Sequence, residues 1–369
     1  MKSFEYGDSE VGRKEVLVGV ANMVIGFGVL TLPRTVANAT HSIDGWISIS
    51  LGGLIVIFFA GVLAKLISRF PKKNLHEFTS LIINKPIATI LTFLFASYMM
   101  LFVCYEMRVV AEISKLYLFD RTPTEVICFV FFLVTIYAVS GPSTVILRLN
   151  LLFMPIILFI ILLLIVMNIG FFEFKTTKPF FHTGWSEILR GSKETIFSFL
   201  GFEILLFYNA FINETKNTVK FTIMGMAIPL LLYLLVFVFV VGVFGVEVAE
   251  NTLYPTAELA KRVEIPGGFF ERFESVFFTI WVVTLFSTAS MAFDVTLLAF
   301  ASIFLKKIKR MTFIFFLSPL IYIIAMSPQN FAETSIFGEW ISYLGIGFSM
   351  FMPLLLLVIA MMRGVKGNG

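Results

Sequence analysis

Charge is scarce in this chain. Of 369 residues, 14% are Asp, Glu, Lys or Arg against 58% hydrophobic, and the mean hydropathy is +0.94. That balance excludes a soluble globular domain and a disordered segment alike. Cysteine is nearly absent: Cys104 and Cys128 lie in different apolar runs without Cys-x-x-Cys spacing, which argues against a structural disulfide and against thiolate metal ligation. The three histidines, His41, His76 and His182, fall in joints between apolar runs with no partner at ligand spacing, so no metal site is expected. No Gly-Lys dipeptide occurs, hence no phosphate-cradling loop, and ATP is not the expected fuel. No Ser-His-Asp set, aqueous carboxylate pair or cofactor loop is legible, so neither an enzyme nor a cofactor is expected.

What the chain has instead is 45 phenylalanines and one apolar run after another. A helical span needs about 20 apolar residues. Such windows lie near 14–38, 46–68, 87–117, 124–140, 145–169, 194–212, 221–246, 269–304, 311–327 and 340–362. The longest joint, Gly245 to Gly268, is too short for a soluble core. The expectation is one all-α integral membrane domain over 1–369 with about ten spans, multi-pass in the cell membrane. Ala37-Asn38-Ala39 imitates a signal-peptidase site, but the segment before it lacks a positive start, so the first span is expected to stay. With both ends placed in the cytoplasm, seventeen of the 28 Lys and Arg fall inside and ten outside, with Arg108 within a span. This is the positive-inside bias. Its strongest part is the joint Lys306 to Arg310.

Two spans contain breaks. Asn22 to Arg34 reads NMVIGFGVLTLPR, and each interior glycine costs a helix roughly 0.5–1 kcal/mol relative to alanine. Close packing of a neighbouring helix is one reason for glycine there. The other is a site: non-helical backbone at membrane depth survives only where protein buries it or a cavity meets it. A half-helix starting near Gly26, Phe27 and Gly28 aims its free N–H groups at the gap, which suits a carboxylate. The sixth span carries a second break in FSFLGFEILLF at Gly201, two residues before Glu203. Ten spans divide as five plus five, so spans one and six head two inverted halves, about 14–169 and 194–362, and broken helices at those places mark a midplane site.

Charges inside spans must face protein or water. In the third span Tyr98, Phe102 and Glu106 share one helical face, while Arg108 and Glu112 form an i,i+4 pair on another. The second set is expected to be a structural ion pair. Glu106 either bonds a serine or threonine of a neighbouring span or serves the cavity. Asp294 is expected to be structural, near the cytoplasmic third. Thr284 and Thr288 either face the cavity or bond back to their own helix.

The blocks GFGVLTLPR at 26–34, DGWI at 44–47, YEMRVVAE at 105–112, RTP at 121–123, FLGFEILLF at 199–207 and ERFESVFFTIW at 271–281 together resemble the B subunits of endospore nutrient germinant receptors. That family resembles amino-acid permeases, with the LeuT-like arrangement of broken first and sixth helices. The resemblance covers about three-quarters of the chain. One departure is Phe27, where a small residue is expected; its ring either narrows the pocket or points into the packing. The resemblance implies a nutrient-sensing subunit of the spore inner membrane, working with a larger A subunit and a lipoprotein C subunit, and binding a small nutrient, usually an amino acid. No nucleic-acid partner is implied.

Placed on the breaks, the ligand carboxylate meets the N–H groups around Gly26 to Gly28. The ammonium meets carbonyls near Phe199 and Leu200, beside Gly201, with Glu106 as counter-charge. The ligand side chain faces Tyr98, Phe102, Leu200 and Thr288. Two rival classes share these residues: a secondary amino-acid transporter coupled to protons or sodium, with Glu106 or Glu203 as proton carriers, and a scaffold or channel component.

Overall fold

The apolar runs become helices. In the computed structural model, which describes residues 10–213, 217–263, 273–304 and 308–367, α1 (Arg13–Thr40), α2 (Gly45–Ser68), α3 (Leu75–Ile82), α4 (Lys85–Tyr117), α5 (Thr124–Ser140) and α6 (Ser143–Met167) follow one another. Then come α7 (Trp185–Ser198), α8 (Leu205–Tyr208), α9 (Thr218–Phe244), α10 (Val246–Asn251) and α11 (Pro255–Lys261). The last four are α12 (Phe273–Ile303), α13 (Arg310–Ala325), α14 (Phe331–Ile346) and α15 (Met352–Met362). Seven helical segments of 24–33 residues are long and apolar enough to cross a bilayer. The bent α1 makes an eighth, and α5 and α13 are shorter apolar helices of 17 and 16 residues at the places of two further expected spans. The Phe27 side chain, Lys306, Lys307 and the start of the expected 269–304 span lie outside the described residues.

Two boundaries differ from expectation. The last span was expected from residue 340, but its helix starts at Phe331, because Asn330 accepts the Glu333 N–H at 3.0 Å and caps a first turn whose charge depresses hydropathy. α14 then passes through a wide π-turn at Gly347–Phe351 into α15. The sixth span likewise begins at Trp185 rather than 194.

The joints sort onto two faces. On one, the Val11 N–H donates to the Phe211 carbonyl at 2.8 Å, Lys72 meets Glu10 at 3.3 Å, and the Gly367 N–H donates to the Arg69 carbonyl at 2.9 Å, so the two ends of the described chain, at Glu10 and Gly367, share this face, the face of the chain ends. On the other, His41 meets Glu250 at 2.7 Å and the Tyr117 hydroxyl donates to Glu258 at 3.1 Å. There the buried Asp44 carboxylate accepts the N–H groups of Phe181, His182 and Thr183 and the Thr183 hydroxyl at 2.7–3.2 Å. Burial pushes the Asp44 carboxyl up, but those four donors outweigh it and hold it below the usual carboxylate range.

At the centre, α1 packs on α9, α7 and α6, and α4 packs on α12. The interior between them is not purely apolar. Asn22 donates to Asn150 and, at 2.8 Å, to Ser287, and Ser287 donates to Asn150, joining α1, α6 and α12. Nearer the face of the chain ends, Arg310 reaches the buried Asp294, and Ser143 donates to Asp294 at 2.9 Å. Asp294 is thus held by a serine of α6 and the first residue of α13.

Candidate functional site

The break in α1 falls at Gly26, whose backbone (φ −14°, ψ −109°) leaves the helix; the halves Arg13–Gly26 and Gly28–Thr40 are bent by 53°. Every carbonyl this frees has to find a donor. That of Val24, which an unbroken helix would pair with the Gly28 N–H, accepts the Tyr233 hydroxyl of α9 at 2.6 Å. One turn later Pro33 has no N–H to offer the Val29 carbonyl, and Thr256 of α11 donates to it at 2.7 Å.

The sixth span breaks after α7. Gly201 takes φ +124°, a region that favours glycine, and its N–H donates to the Glu203 carboxylate at 2.9 Å. The other Glu203 oxygen accepts the Tyr98 hydroxyl of α4. Tyr233 ties the two breaks together, since its hydroxyl also lies 3.2 Å from the Ser198 carbonyl at the end of α7.

Between the breaks lies a cavity of about 220 Å³. α1 contributes Met23, Val24, Gly28, Thr31, Arg34 and Thr35; α4 contributes Tyr98, Phe102, Tyr105, Glu106, Val109 and Glu112; the sixth span contributes Glu194, Phe197, Ser198 and Leu200. Tyr254 and one side of α14, from Phe331 to Ser342, complete the wall. Ser335 and Glu339 are exposed at its mouth, on the face opposite the chain ends. Toward the chain ends, the Asn22, Asn150 and Ser287 cluster lies between α1, α6 and α12.

Of the ten residues the sequence offers as ligand-binding, Gly28, Tyr98, Phe102, Glu106 and Leu200 line this cavity. Gly26 and Thr288 stand behind it. The Thr288 hydroxyl lies 2.7 and 2.9 Å from the two Glu106 oxygens, so Glu106 both bonds a neighbouring threonine and faces the cavity. The Thr288 hydroxyl also lies 2.9 Å from the Leu285 carbonyl of its own helix, and Thr284 bonds back to the Ile280 carbonyl at 3.1 Å. Phe199 and Gly201 are not part of the wall: Phe199 packs edge-on against Tyr233 at 4.9 Å, and Gly201 lies behind Met23. The Phe27 side chain lies outside the described residues.

Arg108 Nε lies 2.7 Å from Glu112 Oε1, an ion pair within α4. Besides making this expected pair, Glu112 lines the cavity. The cavity widens toward its mouth and takes in the neighbouring stripe Tyr105, Val109 and Glu112. Sequence reasoning missed Arg34, Tyr233 and the inward side of α14. For Tyr233 the available signal was the single tyrosine of the apolar α9; for α14 it was the Asn330 cap.

These features define a class: a polytopic helical membrane protein of the LeuT-like, amino-acid permease fold, with first and sixth helices broken around a central cavity. Among solved structures, the chain is similar to MhsT in complex with L-phenylalanine, with a TM-score of 0.67 at 14% identity, covering 97% of this chain and 90% of that one. It is also similar to Mhp1, a nucleobase-cation-symport-1 family transporter in a closed conformation with bromovinylhydantoin bound, at TM-score 0.61 and 12% identity, covering 92% and 76%. Residues 10–334 match the family described as spore germination protein, and the chain belongs to that family. It is 38% identical to spore germination protein GerLB of Bacillus cereus over 372 residues, spanning 100% of this chain and 99% of that protein. It is 32% identical to spore germination protein YndE of Bacillus subtilis (strain 168) over 355 residues, spanning 96% and 97%.

Proposed function

We propose that this protein is the nutrient-sensing membrane subunit of a spore germinant receptor, and that it binds a small nutrient, an amino acid, in the cavity between its broken helices. The observation that carries this is the joint placement of both breaks, Gly28 and Leu200 among their residues, on one cavity with an intramembrane carboxylate, Glu106, in its wall. Family membership supplies the context of germination. Binding favours one packing of the broken helices over another, and the change passes to an A subunit and a lipoprotein C subunit in the spore inner membrane. The subunit acts by binding, without an enzymatic step.

Thermal unfolding of the purified protein against amino acids, sugars and nucleosides tests the reading. A true ligand at one hundred times its Kd adds about 2.7 kcal/mol of stability. If no amino acid raises the melting temperature, the ligand assignment fails. In spores, Phe102→Ala should leave protein levels intact and change nutrient preference, since a methylene in an apolar pocket is worth about 1–3 kcal/mol of discrimination.

One observation favours a second reading: the likeness to MhsT, whose solved complex holds L-phenylalanine, extends over nearly the whole chain. On that reading the protein is a secondary amino-acid transporter coupled to protons or sodium. Accumulation of labelled amino acid in proteoliposomes holding this chain alone would select it.

A further inference from the structure

We infer that the cavity takes its ligand with the ammonium inward on Glu106 and the carboxylate outward on Arg34, the reverse of the polarity a helix break alone suggests. This rests on the reading of the cavity as an amino-acid site. The place that a break offers to an anion is already taken: Glu106 Oε1 lies beside Gly26, 3.6 Å from where a side chain there would begin. A ligand carboxylate put against the same backbone would meet that oxygen across a few ångströms of low-dielectric interior, and like charges repel strongly there.

Glu106 is 2% exposed, and among the described residues no Lys, Arg or His lies within ion-pair distance of it. Its hydrogen-bond partner there is the Thr288 hydroxyl. A buried carboxylate in that position is best complemented by a cation.

The cavity holds one candidate for the other end. Its lining includes the carboxylates of Glu106, Glu112, Glu194 and Glu339 but a single basic residue, Arg34. Arg34 sits over the Phe331 ring at 5.8 Å and makes no ion pair among the described residues. It lies eight residues beyond Gly26, about 12 Å along the helix. A helical side chain leans back toward the N-terminus, and Arg34 and Glu106 line the same cavity, so the proposed pose gives an α-amino acid an ion contact of about 2.8 Å at each end. The ligand side chain then lies among Phe102, Tyr105, Phe197 and Ile341.

The test compares ligands that lack one charge. Binding of L-leucine, isopentylamine and isocaproate, and of L-alanine, ethylamine and propionate, is measured calorimetrically on the full-length purified protein and on Arg34→Gln, Arg34→Lys and Glu106→Gln. Wild type should prefer the amino acid to its amine by about tenfold or more, the worth of a charge-assisted contact. In Arg34→Gln that preference should collapse toward one while preference over the deaminated acid persists, and Arg34→Lys should restore part of it. Glu106→Gln should do the opposite. If Arg34→Gln binds leucine or alanine with its carboxylate preference unchanged, the carboxylate sits at the break and the proposal is overturned. If no amino acid binds wild type at all, the failure is of the site reading itself. Melting of each unliganded variant separates loss of binding from loss of fold.

Discussion

Tyr233 shows how much one hydroxyl can hold. Its ring is buried, and its oxygen serves the Val24 carbonyl and lies beside that of Ser198, one at each broken helix. Tyr233→Phe keeps the ring and takes the hydroxyl donor from the Val24 carbonyl. A buried group so orphaned costs about 1–3 kcal/mol, and thermal melts should show the loss. Gly201 is constrained differently: at φ +124° any side chain is strained, and a Cβ would lie 2.7 Å from Met23 Cγ. Gly201→Ala should therefore lower the amount of folded protein rather than only silence it, which immunoblots of membranes would register. Arg108→Ala belongs with these, because it strands Glu112, whose second oxygen already lacks a partner. Breaking a buried pair costs about 3–5 kcal/mol.

Between elements, the clasp of Asp44 on residues 181–183 ties the joint of α1 and α2 to the entry of α7, and so steadies the outer half of a broken helix. Because the folded carboxyl titrates below its ordinary value of 3.8, the clasp contributes fully above that value and is lost as pH falls through the folded one. Wild type minus Asp44→Asn should show a stability difference of about 1.5–3 kcal/mol at neutral pH, vanishing in acid below pH 3.8; a difference that stayed constant would rule the clasp out.

Such a tie is invisible in sequence, because Asp44 and Thr183 are far apart in the chain and share no period. The spans were legible for the opposite reason, since burying backbone in lipid forces long apolar runs. The breaks were legible because glycine within such a run is costly. Which side chains face the cavity was only half legible: helical period sorts Tyr98, Phe102 and Glu106 correctly, but it cannot tell how wide the cavity opens, and so it left Glu112 outside. α14 was cut short because Glu333 and Glu339 lower the hydropathy of a helix whose polar side meets a cavity rather than lipid.

The whole molecule is asymmetric across its thickness. The face of the chain ends is sealed by the pairing of Val11 with Phe211 and Asn213, by the cluster of Asn22, Asn150 and Ser287, and by Arg310 on Asp294. The opposite face carries the mouth, with Ser335 and Glu339 exposed and Ser342 half-buried within. On the expected topology, with the chain ends cytoplasmic in keeping with the Lys and Arg bias, Ser342→Cys should react with a membrane-impermeant thiol reagent added outside sealed vesicles. Ser290→Cys, buried on α12 at 1% exposure, should not react from either side. Cys104 and Cys128 are both buried free thiols, so the background should be low. Saturating leucine or alanine should slow labelling at position 342 if it occupies the cavity, and a tag on either end should be reachable only from the inside. Labelling of Ser342→Cys from the cytoplasmic side alone would mean that the cavity faces the wrong compartment for a sensor of external nutrient, and the functional reading would fall with it.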